Sequence, residues 1–311
     1  MLASNGVGNS RKRVLVTGAT GFIGRHSLSP LLDRGFEVHA VYKNKPLEEK
    51  NIHWHHADLL DETSVKQLCN EVQATHLLHF AWYVSPKDYK TSSENQKWID
   101  ASIKLLRSFK ENGGTRAVLA GTGMEYDWTI AQDYLSENTS PLKPATLYGM
   151  AKNDARIASE EFARKNNLSL AWGRIFLLYG PNESPTRLVP YVINALLSEQ
   201  PALCTSGEQI RDILYVQDVA DAFVAVLNSD VTGTINIGSG KPIALKDVIY
   251  AIADIIGGRD LVRLGAKESP DDSPRLVFDV TRLKKEVGWR SQVTIEEGLR
   301  TTIEWWKTRR A

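Results

Sequence analysis

The chain has 311 residues, 42% hydrophobic and 24% charged, with 38 Lys and Arg against 37 Asp and Glu. This is a soluble, globular composition, long enough for a large core and about two lobes. The net charge of +1 argues against a binder of nucleic acid or anionic membrane, which carries a basic excess. Cys69 and Cys204 are too few and too far apart for a disulfide scaffold. They read as buried thiols of a reducing, cytoplasmic protein. No apolar run reaches the roughly 18 residues a membrane span needs. Residues 1–10 (MLASNGVGNS) lack the apolar centre of a signal peptide and read as a loose tail.

Val14–Thr17 (VLVT) is the short β-branched run of a strand buried on both faces. A glycine-rich turn follows, then a helix through Ile23, Leu28, Leu31 and Leu32, closed by Gly35. Strands are expected at Glu37–Tyr42, His53–Ala57, His76–Phe80, Arg116–Ala120 and Leu168–Trp172, and helices at Glu62–Asn70, Asn95–Glu111 and Leu147–Lys165. This alternation predicts a Rossmann-type α/β fold, a doubly wound parallel sheet, over residues 11–178. After Tyr179-Gly180-Pro181 the pattern loosens. Helices at Arg187–Leu197, Val219–Ser229, Leu245–Ile256 and Ile295–Trp306 mix with short strands at Ile213–Val216 and Gly233–Ile237. Residues 179–311 are expected to form mainly a smaller α+β lobe for substrate, with one segment returning to the first domain.

Gly18-Ala19-Thr20-Gly21-Phe22-Ile23-Gly24 joins the first strand to the first helix with Gly-x-x-Gly-x-x-Gly spacing. Glycines allow the tight turn and close backbone approach, and free N–H groups at a helix start suit a pyrophosphate. An acidic residue about 20 positions on would grip the ribose hydroxyls of NAD. Here the second strand ends Val41-Tyr42-Lys43-Asn44-Lys45, without a carboxylate. Lys43 and Lys45 would attract a 2′-phosphate, which favours NADP(H). NAD(H) stays open if these lysines are merely solvated.

Tyr148 and Lys152 lie four residues apart on one helix, hence on one face. A free tyrosine, with a pKa of about 10, is a poor acid/base at neutral pH, and a neighbouring ammonium favours the phenolate. Thr122, just past the fifth strand, offers a hydroxyl to the same substrate oxygen. His53, His55 and His56 suggest a metal, but no acidic or thiol partner accompanies them in suitable spacing. They read as strand-edge residues, and no metal site is expected.

From about Arg13 to Trp306 the sequence resembles the extended short-chain dehydrogenase/reductases of the sugar-nucleotide epimerase/dehydratase type. The resemblance rests on GATGFIG (18–24), Asp58-Leu59, GTGMEYDW (121–128), YGMAK (148–152), RIFLLYGP (174–181), RDILYVQDVADAF (211–223), NIGSG (236–240) and Gly288-Trp289. It implies Tyr148 as acid/base, Lys152 as the group that lowers its pKa and holds the nicotinamide ribose, and Thr122 as orienter of the substrate oxygen. Gly18, Thr20, Gly21, Phe22, Ile23, Gly24, Tyr42, Lys43, Phe80, Ala81 and Ile175 would surround the cofactor, with Asp58 and Leu59 flanking its adenine. Arg211 matches the family arginine that contacts the nucleotide diphosphate, and Arg275 is the candidate for a second. The residue-level alternative for Arg211 is an ion pair with Asp212 or Asp218.

Departures from the family pattern narrow the reaction. Sugar-nucleotide 4,6-dehydratases carry an Asp-Glu pair after the threonine, where this chain has Gly123 and Met124, which shuttle no protons. Trp98 and Leu177 replace two family asparagines. With Trp82 and Trp128 nearby, the pocket would be apolar, suited to a deoxygenated sugar, unless these tryptophans are core. The resemblance therefore points to NADPH-dependent reduction of a nucleotide-linked 4-keto-6-deoxyhexose, nearest to CDP- and dTDP-linked deoxysugar synthases. An NAD-dependent 4-epimerase is the alternative, and a non-catalytic dinucleotide-binding module a third. A homodimer through the Tyr148 helix and its neighbour is expected.

Overall fold

The protein is seen here as a computed structural model that describes residues 12–268 and 273–309, so the tail of residues 1–10 lies outside it. The first half runs β1 (Arg13–Thr17), α1 (Gly24–Asp33), β2 (Glu37–Tyr42), β3 (Ile52–His56), α2 (Glu62–Val72), β4 (His76–His79), α3 (Glu94–Glu111), β5 (Arg116–Thr122), α4 (Leu147–Lys165) and β6 (Ser169–Ile175). The second runs β7 (Leu177–Tyr179), α5 (Leu188–Leu197), β8 (Ala202–Leu203), β9 (Ile210–Tyr215), α6 (Val216–Leu227), β10 (Gly233–Ile237), β11 (Pro242–Ala244), α7 (Leu245–Ile256), β12 (Val262–Arg263), β13 (Arg275–Leu276), α8 (Thr281–Lys285) and α9 (Ile295–Thr308).

Seven strands form one parallel sheet in the order β3-β2-β1-β4-β5-β6-β10. It is a doubly wound Rossmann-type sheet. α1 and α6 cover one face, and α2, α3 and α4 the other. Val14, Leu15 and Val16 are fully buried, because a parallel strand between two helical layers has no wet face. The strand order reverses between β1 and β4, which opens a crevice at the carboxyl ends of those strands.

β5 and β6 run past the ends their apolar patterns predict. Gly121 and Gly173 continue these strands, and each leaves space for an aromatic ring. A Cβ on Gly121 would run into the Trp172 indole, and one on Gly173 would stand 2.5 Å from Phe223. The extension makes Thr122 the last residue of β5 rather than a residue just past it.

In the other lobe β9 pairs antiparallel with β11 and parallel with β7 and β13. α5, α7 and α9 surround an apolar cluster that includes Val192, Ile193, Ile249, Ile252 and Ile303. β10, α6 and Trp289 belong to the first layer system. The two- and three-residue strands β7, β8, β11, β12 and β13 were not expected, being too short to show a periodicity. Cys69 and Cys204 are buried and free.

Candidate active site

The turn after β1 packs into the crevice. Gly18 has φ +67°, and a Cβ there would come within 2.7 Å of the Ala81 amide nitrogen, so the loop after β4 lies directly against it. Gly24 backs onto the Gly18 carbonyl, which a Cβ would strike. At Gly21 an added Cβ meets only the Gly18 oxygen, at 3.0 Å. No side chain caps the start of α1. Such a bare helix start beside a side-chain-free turn is a cradle for a pyrophosphate, and the residues present fit a dinucleotide. Thr20 and Asn182 are tied together by Arg25, which donates to the Thr20 carbonyl at 2.8 Å and to the Asn182 side chain. Phe22 stands edge-on to His26, Ile23 packs against the core, and Phe80 stands edge-on to Phe223 at 5.0 Å.

Thr122, Tyr148 and Lys152 come together where β5 ends and α4 begins. Thr146 caps α4 by accepting from the Gly149 amide, which fixes the helix start that carries Tyr148. The Thr122 side chain lies near enough to the Tyr148 hydroxyl to favour its phenolate form. Burial raises the Tyr148 pKa, Tyr89 and Glu125 add to the rise, and Thr122 and Arg187 oppose it. The lowering by Lys152 that the spacing suggests is not among these effects. The Lys152 ammonium instead donates to the Ala120 carbonyl at 2.8 Å and sits 3.8 Å from the Trp82 ring centroid. Burial pulls its pKa down to about 7, against the pull of Glu125.

The expected substrate contacts divide. Trp82 is buried, donates to Asn95 Oδ1 at 2.8 Å and supports Lys152 from below, so it is not an open pocket wall. Trp128 and Met124 do line a cavity of about 170 Å³, with Tyr126, Lys143, Pro144 and Thr146. Trp128 donates to the Gly123 carbonyl at 2.9 Å and stands edge-on to Phe176. The space over Gly123 is filled by Phe176 and Phe278. Ile175 pairs with Thr122 across β5 and β6, and Leu177 packs toward the second lobe. Arg211 is buried on β9 and donates to the Ile210 carbonyl at 2.9 Å. Asp212 and Asp218 turn their carboxylates to the amides of Ser239, Gly240, Gln292 and Val293. Arg275, one strand away, donates to the Asp133 carbonyl at 2.9 Å and faces the Tyr134 ring, so it holds the loop around residue 133.

Residues 14–238 match the family described as the NAD dependent epimerase/dehydratase family. The chain belongs to this family. It is 28% identical to a UDP-glucuronic acid decarboxylase 1 of Xenopus tropicalis, over 96% of this chain and 72% of the relative. It is 26% identical to a CDP-abequose synthase of Salmonella typhimurium, over 94% and 98% respectively. Among solved structures, the Thermus thermophilus UDP-glucose 4-epimerase in complex with NAD superposes with a TM-score of 0.81 and 27% identity, covering 95% of this chain and 99% of that one.

At the carboxyl end of β2 the residues expected around the adenine have partners within the chain. Lys43, expected to meet a 2′-phosphate, pairs with Asp58 at 2.9 Å, and both are well exposed. That pair holds the Asp58 carboxyl below its usual range. The Leu59 side chain is buried in the core under α2, and Tyr42 packs against Trp54 and His56.

Three contributors were not singled out from the sequence. Glu125 accepts from the Thr122 amide and Trp172 Nε1, both at 2.9 Å, and from Arg174 Nε at 2.7 Å. The Thr-x-x-Glu spacing of a capping box was the available signal. Tyr89 stands edge-on to Tyr148 at 5.1 Å and lies 3.5 Å from an Arg187 nitrogen. Nothing local marks these two. The expectation that the histidines lack an acidic partner also fails, because β2 lies beside β3 and brings Glu37 and His39 to His53.

Proposed function

We propose that this protein transfers hydride between NAD(P) and the C4 position of a nucleotide-linked hexose, in the net direction of reducing a 4-keto-6-deoxy sugar. The supporting observation is the placement of Tyr148 beside Thr122 at the end of β5, with Lys152 one helical turn on. Gly123 and Met124 carry no protons, and the Glu125 carboxylate is consumed by the Thr122 amide, Trp172 and Arg174. Without an acid/base pair at positions 123 and 124, the site suits hydride transfer better than water elimination.

NAD(P), held by Gly18, Gly21, Gly24 and the start of α1, supplies the hydride when bound. Thr122 orients the carbonyl oxygen of the sugar. Tyr148, kept protonated by its raised pKa, gives its proton to that oxygen as the alkoxide forms. Lys152 places positive charge beneath the site and takes part in holding the ribose. Trp128 and Met124 offer an apolar wall to a deoxygenated carbon. Arg211 is the candidate for the diphosphate.

A second reading, 4-epimerisation with retained NAD, draws on the Lys43–Asp58 pair, which occupies the lysine a 2′-phosphate would use, and on the NAD complex of the Thermus thermophilus epimerase. One assay separates them. Purified protein is mixed with NADPH or NADH and an NDP-4-keto-6-deoxyhexose. Loss of absorbance at 340 nm is expected, and Tyr148→Phe should slow it by at least about 100-fold. No loss, with bound NAD recovered and 4-epimers interconverted, would replace reduction by epimerisation.

We also propose a homodimer. Leu147, Met150 and Ile157 of α4 are large apolar residues left exposed, at 49%, 44% and 50%. Size-exclusion chromatography should give twice the 34.7 kDa chain mass, and Met150→Lys should shift it to monomer.

A further inference from the structure

At one edge of the seven-stranded sheet, β2 and β3 run parallel with His39 opposite His53 and Val41 opposite His55. Strand alternation puts Glu37, His39 and Val41 on one face, the face that α2 covers through Val65 and Leu68. The cluster lies toward the middle and amino ends of these strands, whereas the crevice lies at carboxyl ends. Glu37, His39 and His53 each present a ligand atom within 4.8 Å of the other two.

We propose that Glu37, His39 and His53 bind a divalent transition-metal ion of the zinc type, with His55 and Glu71 as outer hydrogen-bond partners. The histidine row can accept an ion without leaving a ring nitrogen unpaired. His39 Nε2 lies 3.0 Å from Glu37 Oε1 and His39 Nδ1 lies 2.9 Å from His55 Nε2, while His55 Nδ1 and Glu71 Oε1 make a 3.4 Å ion-pair contact. The two hydrogen bonds take one ring proton from each neutral imidazole. A metal ion between Glu37 and His39 would take the place of the proton between them and turn the row around. His39 Nε2 then offers its lone pair, His39 Nδ1–H donates to His55 Nε2, and His55 Nδ1–H donates to Glu71. That is the outer-shell pattern that fixes the tautomer of a ligating histidine.

Two imidazoles and one carboxylate suit zinc, cobalt or nickel and leave a position for water. Ligand atoms about 2.0–2.2 Å from a tetrahedral ion stand roughly 3.4 Å apart, so the 3.0 Å Glu37–His39 pair needs a small opening. His53 is exposed, and its ring stacks on His39 at 4.7 Å, so it must rotate to aim its nitrogen. Arg13 Nε approaches the same Glu37 oxygen at 3.2 Å from β1 and would give way toward the Val72 carbonyl, to which its Nη1 already donates. An ion here would pin the edge strand β3 to β2.

The test uses the full chain without a histidine tag, stripped with chelator and titrated calorimetrically with zinc chloride. One ion per chain is expected, with a rise in melting temperature, because the ion binds the folded state. Cobalt chloride should give the visible absorption of a four- or five-coordinate ion. His53→Ala, at an exposed position, should lose the melting shift and at least about tenfold in affinity, and Glu71→Gln about tenfold. No saturable binding, or unchanged binding in both His53→Ala and Glu37→Gln, would overturn the site.

Discussion

Lys152 is where local spacing and tertiary environment disagree most. Four residues of helix place it on the same face as Tyr148, and an ammonium there suggests a lowered tyrosine pKa. In the fold the ammonium is buried between the Ala120 carbonyl and the Trp82 ring, and burial brings its own pKa to about 7. Tyr148 is raised instead, which suits a proton donor. If the protonated lysine is needed for turnover, kcat/KM for keto reduction should be flat at acid pH and fall as pH rises through about 7, because this ratio reports groups of the free enzyme. A profile that stays flat to pH 9 would remove Lys152 from that role. Glu125 shows the opposite case. Its Thr-x-x-Glu spacing was legible, yet only the sheet shows that its other oxygen meets a buried arginine from β6.

At the scale of elements, the β1 turn joins two demands on glycine that the motif does not separate. Gly24 is small because the Gly18 backbone occupies the space beside it, whereas a Cβ on Gly21 meets a single backbone oxygen at 3.0 Å. Gly24→Ala should therefore destabilise the protein by about 1–3 kcal/mol even without nucleotide, as overpacking does. Gly21→Ala should lower the melting temperature less than Gly24→Ala does and weaken dinucleotide binding. Thermal melts and fluorescence titration with NADPH and NADH check both, and equal destabilisation by the two changes would refute the distinction. The main helices and strands were legible because their apolar periods are long. The ends of β5 and β6 were not, because Gly121 and Gly173 are there to admit Trp172 and Phe223 from elsewhere in the chain.

For the whole molecule, pH stability follows from histidines the fold has dried out. His79 lies between Thr17 Oγ1, at 2.6 Å, and Ser102 Oγ, at 3.0 Å, and burial holds its pKa near 3. Burial likewise holds His76 near 4. Both folded values lie below the unfolded value of 6.5, so below pH 6.5 the unfolded chain binds protons that the folded chain refuses. Stability should be fully present above pH 6.5 and decline toward pH 4, with a slope of up to about 1.4 kcal/mol per pH unit per histidine. Denaturant melts at pH 7, 6, 5 and 4 measure it. His79→Asn should flatten the slope, and an unchanged slope in that variant would remove His79 as a cause.

By itself the sequence determined the βαβ alternation, the glycine turn and the Thr122, Tyr148 and Lys152 set, since each rests on neighbours in the chain or on a fixed helical or strand period. Only the tertiary structure decided what meets across strands and lobes. It puts Tyr89 on Tyr148, Trp82 under Lys152, Asp58 on Lys43 and Glu37 with His39 beside His53. Those contacts depend on strand order and register, which no local period encodes.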